Sequence, residues 1–438
     1  MNKLDVIING LAYSGWKNVV IQQSMTQLAG VFTVSTTEEL MEDSKSWHIR
    51  NGDVCTINIE EQTILTGYVD SIVHSYNNKE HQIILKGRDK TCDLIDCSYY
   101  SNTTVNAAEL EYRDREWKNK DAKTIITDIC TPFGIIVMVD KDSEGAQEAA
   151  SEPLVVFQIN DGETALNSIT RICQSKGLIA MTDGDGILRL TRTRNIKCSD
   201  SLTTGENILS GQLIQSDRER FSRYIIKGKG KTDGKYLLIS TINPSAIVED
   251  EVVRKKIGMQ EDRSTPSYRY RPKVILTDVV ANYDINPALQ KIVESVYNPY
   301  THKREPLVPP EVRNYVAVDI CYQRGEQEAR VRAGNSRKLV YTVQGWVQTS
   351  NKKVWKVNTL VSIYDKMFNI RDEFLISDIR FTFDDINGTI TELSLVHKEA
   401  FKVIQKPIKK IKTETDNLLS TEAWREATKS TLGKEYIW

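Results

Sequence analysis

Along the first hundred residues apolar and polar positions alternate. Leu4, Val6 and Ile8 sit between polar neighbours, and the runs 31–36, 54–60, 63–76 and 81–86 keep the same period of two, which predicts short strands. The run 63–76 is long enough to hold a bulge. Asn77 and Asn78, side by side between two runs, tolerate positive φ and predict a two-residue hairpin turn. Residues 1–97 therefore read as a first small antiparallel β-barrel.

Between 98 and 205 the period changes. The stretches "KDAKTIITDICTPFG" (120–134) and "DGETALNSITRICQSKG" (161–177) carry helical spacing. In the second, Asp161 is the expected N-cap, Ala165, Leu166, Ile169 and Ile172 mark the apolar face, and Gly177 stops the helix. Apolar β segments follow each helix, so 98–205 is expected to be an α+β module. Strand character returns over 217–240 and again in several runs from 337 on, so 206–240 and 336–400 are expected to form a second β-barrel. The mixed, partly Pro-rich stretch 241–335 interrupts it as an inserted domain, and 401–438 reads as a C-terminal extension, basic and then weakly amphipathic. The expected fold class is α+β, mainly β: two antiparallel β-barrel domains plus an inserted α+β module and a second insertion.

Composition narrows the function classes. The 438 residues are 27% charged and 40% hydrophobic with a formal net charge of -1, the profile of an ordinary globular protein of about three domains and not of a whole-chain polyanion binder. No apolar run reaches the length of a signal peptide or a membrane span, so folding in a cytoplasm is expected. Seven cysteines (55, 92, 97, 130, 173, 198, 321) form no CxxC pair and are expected to be reduced and mostly buried.

Several local patterns invite a chemical reading. "KGRDKTCDLIDC" (86–97) packs two cysteines, three aspartates and three basic residues together. On a helix capped by Asp89 or Thr91, Cys92 and Cys97 point about 140° apart and lie roughly 8 to 9 Å from one another, too far for an unstrained disulfide and awkward for one metal. A strand end followed by a cap and a barrel-closing helix is the simpler reading. The predicted turn at 77–78 would set His74 directly opposite His81, but a third metal ligand is missing, because Asp70 lies four residues away along the strand. "IKGKGKTDGKY" (226–236) lacks the Walker spacing, with Ile225 where a glycine is needed, and reads as a lysine-rich hairpin tip. "DGDG" (183–186) opens like a calcium loop but continues with Ile187 and Leu188, which supply no oxygen ligands; it reads as a turn. In "RLTRTR" (189–194), Arg192 and Arg194 are expected on one face and Arg189 on the other, as a charged barrel edge or a path for polyanions. No hydrolase, metalloprotease or dinucleotide motif is present. The expectation is no enzyme, with no catalytic, cofactor-binding or metal-ligating residues.

The order of these pieces resembles the baseplate hub proteins of contractile-tailed phages, particularly the Mu-like hub and the wider late-control D family. The stretches that carry it are "YSGWKNVVIQQSMTQLAGVF", "LTGYVDS" followed by "KGRDKTCDLIDC", "TDICTPFGI", "LTTGENIL" running into "DRERFSRYIIKGKG", "RYRPKVI" and "GWVQTSNKKVWKVNTLVSIYD". They span about residues 10 to 400; the stretch from about 280 to 325 and the tail after 402 depart from the pattern. The resemblance implies a homotrimer in which two similar barrels per chain form a ring of six. Such a ring matches a three-fold central spike protein below to a six-fold tail tube or tube-initiator protein above, and touches other baseplate proteins. It also implies a channel passed by tape-measure protein and DNA, a place in the virion tail baseplate after assembly in the host cytoplasm, and no membrane-spanning segment. The alternatives are a tail-associated peptidoglycan hydrolase, or the hub of a phage-derived contractile bacteriocin or secretion particle.

Overall fold

The structure is a computed structural model; it describes residues 3–37, 49–76, 81–100, 115–229, 245–250, 253, 270–280, 295–298, 303–306 and 315–401. All belong to one unit, Met1–Val403, and the expected extension after 401 lies outside them. The N-terminal part runs β1 (Leu4–Ile8), β2 (Leu11–Tyr13), β3 (Asn18–Ser24), β4 (Val31–Thr37), β5 (Val54–Ile59), β6 (Gln62–Tyr76), β7 (His81–Asp89) and α1 (Cys92–Asp96). The middle module holds β8 (Glu116–Asp121), α2 (Ala122–Cys130), β9 (Val137–Val139), α3 (Ala146–Ser151), β10 (Pro153–Gln158), α4 (Ala165–Lys176), β11 (Ile179–Met181) and β12 (Leu188–Thr191). Next come β13 (Leu202–Thr203), β14 (Ile208–Gln215), β15 (Arg223–Lys229), β16 (Ser245–Glu249), β17 (Pro272–Val280), β18 (Ser295–Asn298), β19 (Lys303–Pro306) and α5 (Tyr315–Asn335). The chain closes with β20 (Arg337–Gln344), β21 (Leu360–Asp365), β22 (Ile370–Asp384) and β23 (Gly388–His397).

The fold is mainly β and the large sheet is almost wholly antiparallel. Instead of two separate closed barrels, the described residues show one continuous 13-stranded sheet in the order β14-β20-β23-β22-β3-β4-β7-β6-β5-β1-β2, with β21 on β22 and β13 on β21. The reason is β22. Its first part pairs with β21, and its second part pairs with β3 of the N-terminal half, from Asp378↔Ser24 to Phe383↔Val19. One apolar core runs beneath both halves, from Val6 and Ile21 to Phe381 and Leu393.

Within this sheet a five-strand ladder occurs twice in matching register. In the first unit β6 pairs with β7 as Val69↔Gly87, skips one residue, and resumes as Ser71↔Lys86; in the second β22 pairs with β23 as Ile376↔Leu395, skips one, and resumes as Asp378↔Ser394. The neighbours follow. Phe32↔Gly87 of β4 and β7 answers Leu339↔Leu395 of β20 and β23. Tyr68↔Val54 of β6 and β5 answers Leu375↔Leu360 of β22 and β21. Val19↔Val34 of β3 and β4 answers Gly211↔Tyr341 of β14 and β20. Both long strands are 15 residues and both bend at the skipped residue, Asp70 and Ser377, because a bulge leaves that residue unpaired and raises the local twist.

The insertions are built separately. α2 starts at Asp121, whose carboxylate accepts from the Thr124 N–H at 2.9 Å. α4 is capped by Thr164, which accepts from the Asn167 N–H, and not by Asp161 as expected; Asp161 forms an ion pair with Arg115. Its C-terminus does end on Gly177, at φ 61. Ile125, Ile126, Ile129, Ile169 and Ile172 are buried together with Phe157 and Leu190. The strand at 223–229, expected in the second barrel, pairs instead with β16 and β17, and α5 covers that small sheet. Tyr224, Ile226, Val248 and Cys321 form its separate core. Gly325 lets the helix approach closely, since an added Cβ would come within 2.7 Å of the Val248 side chain.

Candidate functional site

The joint between the two units is the place where the chain builds something beyond its repeats. One face of the β22–β3 ladder is core: Val19, Ile21, Ile379 and Phe381 are buried there. The alternation of strand side chains puts Val20, Gln22 and Ser24 on the opposite face with Asp378, Arg380 and Thr382. Asp378 accepts from Ser24 Oγ at 2.6 Å and from Lys338 Nζ at 2.7 Å. Burial opposes its charge, yet the hydrogen bonds from Lys338 and Ser24 outweigh that and hold it below the ordinary carboxylate range. Arg380 lies directly opposite Glu392. Two clefts of about 250 and 340 Å³ share this pair; the first also takes in Gln22, Ser24, Gln27 and Asp378, the second Asn18, Thr342 and Thr382. The exposed face of the joint is thus polar and carries both signs of charge.

A second set of contacts fixes the middle module against the sheet. Arg194 is buried between Asp140 and Asp183, whose two oxygens accept from its guanidinium at 2.8 and 2.9 Å. Burial disfavours the Asp183 carboxylate, but Arg194 and then Arg189 overcome this and lower its pKa. Arg189 reaches Asp183 at 2.8 Å and also pairs with Asp185. Asn358, fully buried at φ 59, locks the knot to the second unit: its side chain accepts from Arg194 N–H and donates to Arg192 O, while its own N–H donates to Ile376 O at 2.8 Å. Gly184 lies so close to the first unit that an added Cβ would stand 1.6 Å from Ile64 O.

The candidate residues therefore have structural partners. Contrary to both readings of "RLTRTR", Arg192 and Arg194 are 6% and 5% exposed. Arg192 donates to the carbonyls of Gly177 and Lys176, so it caps the last turn of α4. "DGDG" is a turn whose Asp183 and Asp185 are held by arginines. At the 86–97 corner, Asp89 is fully buried and accepts from the Thr91 N–H and hydroxyl; burial lifts its pKa, and these bonds offset part of the rise. Arg88 bridges the bulge residue Asp70 at 2.5 Å and Asp96 of α1 at 2.7 and 3.1 Å. Cys92 is buried, with its thiol pushed up to about 12 by burial, whereas Cys97 is exposed just past the helix end. All seven cysteines are free thiols, five of them buried.

His74 and His81 are not opposite one another. The ladder sets His74 against Ile83 and His81 against Tyr76, so the connection spans 77–80, four residues in place of two. Those four residues, and the lysine-rich tip from 230, lie outside the described residues. Among the described residues no group of three or more His, Cys, Asp or Glu is placed to hold a metal, and no helix is long and apolar enough to cross a membrane. Asn358 and Asp378 were missed by the sequence reading; the one signal available was the Asn at a position flanked by β runs, where positive φ is tolerated.

Comparison with known proteins follows the same divisions. Residues 3–89 match the family model for the N-terminal domain of the Mu phage baseplate assembly protein GpP-like group, 91–192 the second domain of the baseplate hub protein gp44-like group, and 318–404 the fourth domain of Mu phage baseplate assembly protein GpP. The chain is 25% identical to the baseplate hub protein gp44 of Escherichia phage Mu over 408 residues, 92% of this chain and 89% of that protein. The crystal structure of the prophage MuSo2 43 kDa tail protein from Shewanella oneidensis is similar at TM-score 0.66 and 27% identity, over 91% of this chain and 99% of that one. The tail protein of Neisseria meningitidis MC58 shares the fold at TM-score 0.61 and 17% identity, over 92% and 99%. Three domain matches in order, and two relatives aligned over nearly the whole length, agree on one assignment. The chain belongs to the baseplate hub proteins of Mu-like phage tails.

Proposed function

We propose that the chain is a structural, non-enzymatic hub that assembles as a homotrimer, so that three pairs of repeated β units make a ring of six. The observation that carries this reading is the five-strand ladder repeated in matching register within one polypeptide. Two like units per chain convert three-fold symmetry into approximate six-fold symmetry, which is what a three-fold central spike needs in order to seat on a six-fold tube. In this reading the polar face bearing Gln22, Arg380 and Glu392 lines a central channel passed by tape-measure protein and DNA. The alternation of charge there favours passage over retention, since no single-sign stripe grips a polyanion. The buried knot around Arg194 and Asn358 holds the middle module rigidly, as a part under mechanical load requires. The working place is the tail baseplate of the virion, after assembly in the host cytoplasm.

Mass in solution tests the proposal. Three copies of the 49.9 kDa chain give about 150 kDa by light scattering, and averaged particle images show a ring with six similar lobes. A chain that stays near 49.9 kDa at high concentration and forms no ring with its spike protein overturns the trimeric reading. Clearing of peptidoglycan by the purified protein would overturn the non-enzymatic one.

A further inference from the structure

Among the described residues the repeat leaves one strand edge bare in each unit, and the two bare edges complement each other. Inside the chain, the second part of β22 (378–383) is covered by β3. Its counterpart in the first unit is the second part of β6, residues 71–76; on one side it pairs with β7, and on the other no described strand reaches it, because the pairing with β5 stops at Val54↔Tyr68. The counterpart of β3 is β14, which pairs with β20 and with no other described strand along residues 210–215. We propose that these edges join between copies of the chain: β6 of one subunit pairs antiparallel with β14 of the next, in the register of the β22–β3 joint. Carrying that register across sets Ile72 against Gln215, Val73 against Ile214, His74 against Leu213 and Tyr76 against Gly211.

Three observations carry the pairing. First, exposure differs between matched positions. Val19 and Ile21 of β3 are 1% and 0% exposed, whereas Gly211 is exposed and Leu213 half-exposed; Phe381 is 0% exposed and its counterpart His74 is exposed. Second, the bare edges are apolar where they would meet: Val73 is 41% exposed, Ile214 40% and Tyr76 86%. Third, these edges lack the guards that keep monomeric sheets apart. Neither "SIVHSY" (71–76) nor "ILSGQLIQ" (208–215) contains Lys, Arg, Asp, Glu or Pro, in a chain that is 27% charged. Each subunit carries one edge of each kind, so the contact is head-to-tail, and such contacts close into a ring when the rotation per copy allows. The occupant is therefore a second copy of this chain, whose strand direction and register the internal joint already supplies. Tyr76 over Gly211 fits as well, an aromatic ring covering a glycine that offers no side chain of its own.

The inference rests on the ring reading above and specifies its contact. The test uses the full-length chain with Val73→Cys and Ile214→Cys together, oxidised at a protein concentration where the parent's mass has been measured by light scattering. Directly opposed antiparallel positions lie within disulfide reach. The expected result is covalent dimer and trimer on a denaturing gel and no larger species, with each single variant staying monomeric and the shifted pair Val73→Cys with Gln212→Cys crosslinking at least about tenfold less. A parent of about 150 kDa with no crosslink from the matched pair overturns the edge pairing and leaves the trimer standing. Equal crosslinking by the shifted pair overturns the register. A parent that stays monomeric with no crosslink overturns both, whereas a monomeric parent that the matched pair locks into covalent trimers supports the contact.

Discussion

Phe381 and His74 occupy the same place in two copies of one ladder, and only Phe381 is covered. The two units agree in register at every strand compared, but they distribute volume differently. The cross-strand pair Phe32 and Gly87 in the first unit stands where Leu339 and Leu395 stand in the second. A large and a small residue fill the space that two medium ones fill elsewhere, which is how a core tolerates substitution as long as total volume is kept. The repeat is thus preserved in backbone pairing while its side chains have diverged, and the residues that differ most are those at the edges.

Four measurements break or sharpen this comparison. The largest effect is expected for Gly87→Val, because an added Cβ there would stand 2.1 Å from Tyr68 O and 2.4 Å from the Phe32 ring. The first unit should fail to fold, read as loss of soluble protein and of the thermal transition, whereas Leu395→Val at the matching position should cost only about 1 kcal/mol. Next, Phe381→Ala should lower stability in urea by about 3–5 kcal/mol, and His74→Ala in the dissociated chain by less than ~0.5 kcal/mol. Equal shifts would mean that the two positions are equally covered. Arg194→Met should cost about 3–5 kcal/mol by leaving Asp140 and Asp183 buried without their partner, against less than ~1 kcal/mol for Arg88→Met at the more exposed corner. Two similar urea midpoints would show that the knot around Asn358 contributes no more than a surface pair.

The smallest effect concerns acid. Asp378 has a depressed pKa in the folded chain, so its contribution is complete above the ordinary aspartate value near 3.9 and is lost as pH falls through the lower folded value. The Lys338 pair is one-third exposed, which limits the effect to about 1 kcal/mol. Stability curves of the parent and of Asp378→Asn should therefore converge below pH 4 and separate above it; curves that stay parallel through this range would remove Asp378 from the joint.

Much of the strand pattern was legible in the sequence, and its limits follow from exposure. The runs at 31–36, 54–60 and 63–76 alternate because each has one face on the core, and the bulge in the longest run followed from its length alone. β14 gave no such signal. Only Ile208 and Leu213 of this strand lean on the core and the other positions are exposed, so "ILSGQLIQ" shows no clean period of two until its partner strand is known. α5 was missed for a related reason. Gly325 and Gly334 interrupt it, and both are there for close approach, Gly325 to Val248 and Gly334 to Ala400. The hairpin after Tyr76 went wrong because adjacent asparagines suit a two-residue turn, yet the ladder register requires four connecting residues. "RLTRTR" misled because charge was taken for exposure, when Asp140, Asp183 and the end of α4 were distant in sequence and invisible beforehand. The joint itself could not be read at all, since Ser24 and Asp378 carry no mark of each other.

Those two residues are 354 positions apart along the chain. While the protein is being synthesised, β3 emerges long before its partner, so the open flank of the first unit stays unprotected until β22 has been made. A polypeptide terminated before residue 378 cannot supply the covering strand. Synthesis through β22 is thereby a condition for finishing the sheet, which keeps copies terminated before it from presenting the same surface as those that contain it.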